Sequence, residues 1–147
     1  MKPVLVIGLG GEWMGDDGVG LRAAERLAKD SRLPRDVEVV CGGADLLRFA
    51  DRAAGRREVL ILDALEDASA EPGSVSVIED LDGFDCRSPH AHALSAVDAI
   101  GVLRGVTGAR IRLAAIAIRS AERGAGLSAP VSARLAEIVD RVLRMVS

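Results

Sequence analysis

Asp16 and Asp17 stand side by side at the end of a glycine-rich run, Gly8-Leu9-Gly10-Gly11-Glu12-Trp13-Met14-Gly15-Asp16-Asp17-Gly18-Val19-Gly20. A third carboxylate, Asp63, directly follows Val59-Leu60-Ile61-Leu62, and the only two histidines fall in Ser88-Pro89-His90-Ala91-His92. Two carboxylates and an imidazole form a donor set for a divalent ion such as nickel, zinc or manganese. A carboxylate among them can also act as a general base. Each residue has an ordinary use as well. Acidic residues cap helix N-termini and complement their dipoles, an Asp after a strand can be a turn residue, and a loop histidine is commonly solvated. What favours chemistry is the setting of Asp63, which is costly to bury after four apolar residues unless it is paired or bound to a cation.

Familiar nucleotide sites do not fit the glycine run. In a G-x-G-x-x-G fingerprint the third glycine would stand at Trp13, and no G-K-[ST] follows. A helix start prepared for phosphate would not carry two negative charges. The glycines read as a tight loop needing positive φ. The chain has neither the H-E-x-x-H nor the G-x-S-x-G pattern.

The elements that must position these groups alternate. Val4–Ile7, Val37–Cys41 and Val59–Leu62 read as buried strands. Helical spacing marks Gly18–Lys29 and Ala44–Ala54 between them. Pro72-Gly73 marks a turn before a short, partly exposed strand, Val75–Ile78. Ser88 caps a third helix with Pro89 at its first position and Leu94, Val97 and Gly101 on one face. Ile111–Ile118 is a fifth strand, and Ser128 with Pro130 opens a last helix striped by Val131, Leu135, Ile138, Val139, Val142 and Val146. The order βαβαβ-β-αβα predicts a parallel sheet covered on both faces with right-handed crossovers. The short link into the fourth strand suits an antiparallel neighbour, so that strand is expected at or near an edge. Ligands of such sheets bind at the carboxyl ends of the strands. The loops after strands one and three and the start of the third helix are therefore expected to share one rim. If Ser88–His92 is extended, both imidazoles face one side. If it is helical, they diverge by about 200° and only one faces the cleft.

The chain has 147 residues, 49% of them hydrophobic and 28% charged, the balance of one soluble domain spanning 1–147. So apolar a chain is not disordered. A net charge of −3 and an aromatic content of 2%, with no Tyr, exclude a broad basic nucleic-acid surface and a base-stacking platform. Cys41 and Cys86 form no CxxC or Cys/His cluster, so no zinc site or disulfide scaffold is indicated. Met1-Lys2-Pro3 leads into an apolar run too short for a signal peptide, and no stretch nears the ~20 apolar residues of a membrane span. The expectation is a cytoplasmic protein without nucleic-acid or membrane partners.

Taken together, these motifs resemble the hydrogenase maturation endopeptidases, which trim the C-terminal extension from the large subunit of nickel–iron hydrogenases. That family opens with a strand and a Gly-Asn-x-Leu-x-x-Asp-[Asp/Glu]-Gly-x-Gly loop, standing here as Gly10-Gly11-Glu12-Trp13-Met14-Gly15-Asp16-Asp17-Gly18-Val19-Gly20. Asp63, Pro72-Gly73, Ser88-Pro89-His90 with Leu94, Gly42-Gly43 and Gly126-Leu127-Ser128 match further family positions. The differences are Gly11 for the family's Asn, Trp13 for its loop Leu, Cys41 for the acidic residue before the glycine pair, Ala44-Asp45 for Thr-x-Gly, and His92 for an apolar residue.

The resemblance implies an α/β, three-layer αβα sandwich of the phosphorylase/hydrolase-like kind, with a five-stranded, mostly parallel sheet and one antiparallel edge strand. It also implies that Asp17, Asp63 and His90 are catalytic and recognise nickel, and that the precursor supplies this metal. The partner it implies is the NiFe-hydrogenase large-subunit precursor. The Ser-x-His match selects His90 over His92. Two other readings stand beside it: a receiver-like magnesium- and phosphate-binding signalling domain, and a non-catalytic paralogue that only binds a partner. Against the receiver, Asp16 lies nine positions beyond Ile7 and the only lysines are Lys2 and Lys29.

Overall fold

The computed structural model describes residues 1–11, 15–43, 45–79, 100–101, 103–105, 107–119 and 126–147. The strands are β1 (Val4–Gly8), β2 (Val37–Cys41), β3 (Glu58–Glu66), β4 (Val75–Ile78) and β5 (Arg110–Ile118). They form one sheet in the order β2-β1-β3-β5-β4. The first four in that order run parallel, and β4 runs antiparallel to β5 at the edge. The helices are α1 (Val19–Ala28), α2 (Ala50–Ala53), α3 (helical residues within 100–107), α4 (Ala129–Ala133) and α5 (Leu135–Val146).

Alternation along the strands builds two cores. Val4, Val6, Leu60, Leu62 and Ile116 pack against Val19, Ala23 and Leu27 of α1 and Ile138 and Val142 of α5. On the opposite face, Leu5, Ile7, Val59, Ile61 and Leu113 meet Phe49, Ala53, Ile100 and Leu103. Strands buried on both faces cannot show the polar alternation of a half-exposed sheet, hence their continuous apolar runs. Among the described residues no helix is long and apolar enough to cross a membrane.

Four expectations change. β3 does not stop at Leu62: β5 pairs with it as far as Glu66↔Ile118, so Asp63 lies inside a strand. The short link to β4 does not make it a neighbour of β3, because β5 inserts between them and supplies the antiparallel partner. The second helix shrinks to a 3₁₀ turn, Leu46–Phe49, running into α2. Its start is set by the Asp45 carboxylate, which accepts the Leu47 amide at 3.1 Å. The last helix is two, α4 and α5, meeting at Arg134. Residues 88–99, where the third helix was expected to start, lie outside the described residues.

Gly20 seats α1 on the sheet. A Cβ there would overlap the carbonyl oxygens of Leu62 and Leu9. Helix propensity favours Gly20→Ala by up to ~1 kcal/mol, but overlap with rigid backbone costs ~1–3 kcal/mol. A lower urea midpoint is therefore expected. A midpoint at or above the parent's would mean that α1 is not held so closely.

An ion pair buried on its arginine side fastens the amino-terminal end of the sheet. Arg56, 7% exposed, pairs with Glu38 of β2 and donates to the carbonyl oxygens of Arg52 at 2.8 Å and Lys2 at 2.7 Å. Hydrogen bonding from Arg56 outweighs partial burial and, with Arg52, holds the Glu38 carboxyl below its ordinary pKa. A folded pKa below the unfolded ~4.3 makes this stabilisation complete above that pH and lost as pH falls through the folded value. Urea midpoints should therefore fall between about pH 5 and pH 3, and less steeply in Glu38→Gln. Equal slopes would remove this pair from the acid response.

Candidate active site

The strand order reverses between β1 and β3: β2 lies on one side of β1 and β3 on the other. In open α/β sheets this switch point opens a crevice beyond the carboxyl ends of the strands. Asp17 and Asp63 flank it.

Asp17 lies in a 3₁₀ turn, Gly15–Gly18, directly before α1. The loop leaving β1 folds back onto that turn. Gly10 has φ +137°, and a Cβ on it would meet the Asp17 carbonyl oxygen, while one on Gly18 would meet that of Gly11. The turn also packs against β3. The positive φ expected of this loop is found at Gly10 and Gly15, and the structure adds a close backbone contact at Gly10 and Gly18 that fixes the turn carrying Asp17.

Asp63 lies one residue past the last β1–β3 register pair, Gly8↔Leu62. There β1 leaves the sheet, its Leu9 amide still donating to Leu62 at 2.9 Å. Asp63 shares the face of Val59, Ile61 and Leu65, the face covered by α3. It is half-buried, and its Oδ1 accepts the Ala64 amide at 2.8 Å.

The neighbouring Asp16 has a different task. It is 8% exposed. One carboxylate oxygen accepts the Ser128 amide and the other the Ser128 hydroxyl, both at 2.7 Å. Ser128 does occupy the N-cap position of α4, but its side chain does not cap the helix. The pair spans 112 positions, and nothing in the local sequence marks it.

His90 and His92, with Ser88, Pro89 and Trp13, lie outside the described residues. Among the described residues no group of three or more His, Cys, Asp or Glu side chains is gathered for a metal. Beside the Asp17 loop, Gly10, Gly11, Leu21, Glu25, Cys41, Gly42 and Gly43 line a cleft of about 410 Å³. Partial burial, then the charge of Glu25, pushes the Cys41 thiol pKa up. That opposes thiolate formation at this exposed cysteine.

A five-stranded, mostly parallel sheet with one antiparallel edge strand and helices on both faces defines an α/β protein. Within that class the chain belongs to the hydrogenase maturation protease family, whose model matches residues 21–145. It is 26% identical over 144 residues to the hydrogenase 2 maturation protease of Escherichia coli, covering 95% of this chain and 88% of that protein. The hydrogenase-maturating endopeptidase HybD of E. coli superposes with a TM-score of 0.81 over 97% of this chain and 91% of its own, at 26% identity. The [NiFe] hydrogenase maturation protease HybD of Thermococcus kodakarensis gives 0.80 over 98% and 99%, at 27% identity. Membership in an enzyme family displaces the receiver reading.

Proposed function

We propose that this protein is an endopeptidase that removes the C-terminal extension from the large-subunit precursor of a nickel–iron hydrogenase in the cytoplasm. Asp17, Asp63 and His90 recognise nickel already carried by the precursor. The observation that carries this reading is the pair of carboxylates flanking the switch point in a chain of the hydrogenase maturation protease family. Nickel is substrate here, and binding it reports that insertion is complete. Two carboxylates with a neutral imidazole suit such an ion. Two routes to cleavage remain compatible with these groups: polarisation by the metal, or a carboxylate acting as general base on water.

The test is a gel-mobility assay of precursor, with and without nickel, against purified protein. Cleavage only of the nickel-loaded form is expected. Cleavage of both forms, or of neither, would overturn the reading. In the same assay His90→Ala is expected to abolish cleavage and His92→Ala to weaken it slightly. Activity should fall in acid near the reference histidine pKa of ~6.5, because a protonated imidazole cannot ligate. Equal loss in both variants would mean a two-histidine site, and full activity in His90→Ala would remove the histidine from the mechanism.

A further inference from the structure

The edge of the sheet formed by β4 borders a groove of about 270 Å³, walled by Gly73–Val75 on one side and by Arg134, Glu137, Arg141 and Arg144 on the other. Arg134 is held by Glu71 at 2.6 Å. Arg141 and Arg144 are exposed, lie three residues apart on α5, and have no ion-pair partner among the described residues. With Glu71 paired to Arg134, the groove sets Arg141 and Arg144 against the single carboxylate of Glu137, so it carries one net positive charge on a chain whose formal charge is −3.

The edge itself is open among the described residues, where β5 is the only strand paired with β4. The Ala117 amide donates to the Ser74 carbonyl at 2.9 Å. The Ser74 amide itself donates to Glu71 at 3.0 Å; beyond it, antiparallel alternation turns the backbone groups of Ser76 and Ile78 to β5 and those of Val75 and Val77 outward. Val75 packs on the α5-side core, so Val77, two residues on and 37% exposed, lies on the same face as the arginines. Outward amides, an exposed apolar side chain and unpaired guanidinium groups therefore adjoin one another.

We propose that this edge and groove dock an extended acidic segment of a partner protein. The segment adds as a strand beside β4 and lays alternate carboxylates against Arg141 and Arg144. Strand addition satisfies the outward backbone groups of Val75 and Val77, and guanidinium–carboxylate pairs select acidic over basic sequences. The charge of the groove decides the occupant: a basic or purely apolar strand would leave its net positive charge uncompensated. The site is separated from Asp63 by β5 and does not rest on the catalytic reading.

The probe is a blocked hexapeptide alternating valine and glutamate, titrated into the ¹⁵N-labelled full chain. Saturable shifts of the Val75, Val77, Arg141 and Arg144 amides are expected, weakening as salt is raised. Arg141→Glu with Arg144→Glu should cut affinity at least tenfold. Both sites are exposed, and a thermal melt of the variant checks the fold. Val77→Pro removes one outward donor and leaves the β5 ladder intact, and it should weaken binding also. N-methylation of alternate peptide amides keeps the charge and removes strand pairing, and it should abolish the Val75 and Val77 shifts. Equal binding of the valine–lysine peptide, unchanged affinity in the charge-reversed variant, or the same shifts from inorganic phosphate alone would each overturn the proposal. So would dimerisation through β4 without peptide.

Discussion

Asp63→Asn and Asp17→Asn are each expected to lower precursor processing by about 10²-fold or more while leaving the fold in place. The substitution is isosteric and removes only the charge. In Asp63 the oxygen that accepts the Ala64 amide at 2.8 Å is retained as an amide oxygen. Asp17 is half-buried in a turn whose backbone, through Gly10 and Gly18, carries the packing. Neither change opens a cavity, so urea midpoints should move by less than the equivalent of ~1 kcal/mol. Processing is read as the mobility shift of nickel-loaded precursor. A collapse of stability in both variants would make these carboxylates structural, and unchanged processing in either would remove that residue from the site.

Asp16→Ala is expected to do the reverse, costing about 2–4 kcal/mol of stability. Hydrogen bonds to charged groups contribute ~1.5–3 kcal/mol each, and this carboxylate accepts two from Ser128 in a buried position. The fall in melting temperature should be on the order of 10 °C for a chain of this size. Asp16→Asn keeps the acceptor for the Ser128 amide and can donate to its hydroxyl, so it should lose less than half as much. Ser128→Ala removes one of the two bonds and should fall between. A parent-like melt for Asp16→Ala would mean that the link between the 3₁₀ turn and α4 holds nothing. Adjacent aspartates thus separate on different readouts, Asp17 on processing and Asp16 on stability.

Local sequence determined much of this. The β-branched runs of β1, β2 and β5 and the 3.6-residue stripes of α1 and α5 are each sufficient to choose strand or helix, because burial on one or both faces leaves a period in the chain. That alternation set Asp17 after the first strand and Asp63 after the third; Asp63 lies instead inside β3, one residue past its last pair with β1, where the strand order reverses. The Pro-Gly turn before β4 was legible for a similar reason: φ is locked at Pro72, and Gly73 takes φ +87°.

What the tertiary structure alone decided are the pairings between distant segments. β3 runs on to Glu66 because β5 offers backbone partners along its whole length, and no residue of β3 encodes that length. β4 joins β5 because β5 inserts beside β3 and leaves a free edge. Arg56 of the α2–β3 link finds Glu38 of β2. Most of all, two neighbouring carboxylates of one residue type are indistinguishable in a sequence. Asp16 is structural only because α4, formed more than a hundred residues later, brings the amide and hydroxyl of Ser128 to its two oxygens. Periodicity records which face of an element is buried, but hydrogen-bond partners are supplied by whatever the completed fold places within 3 Å.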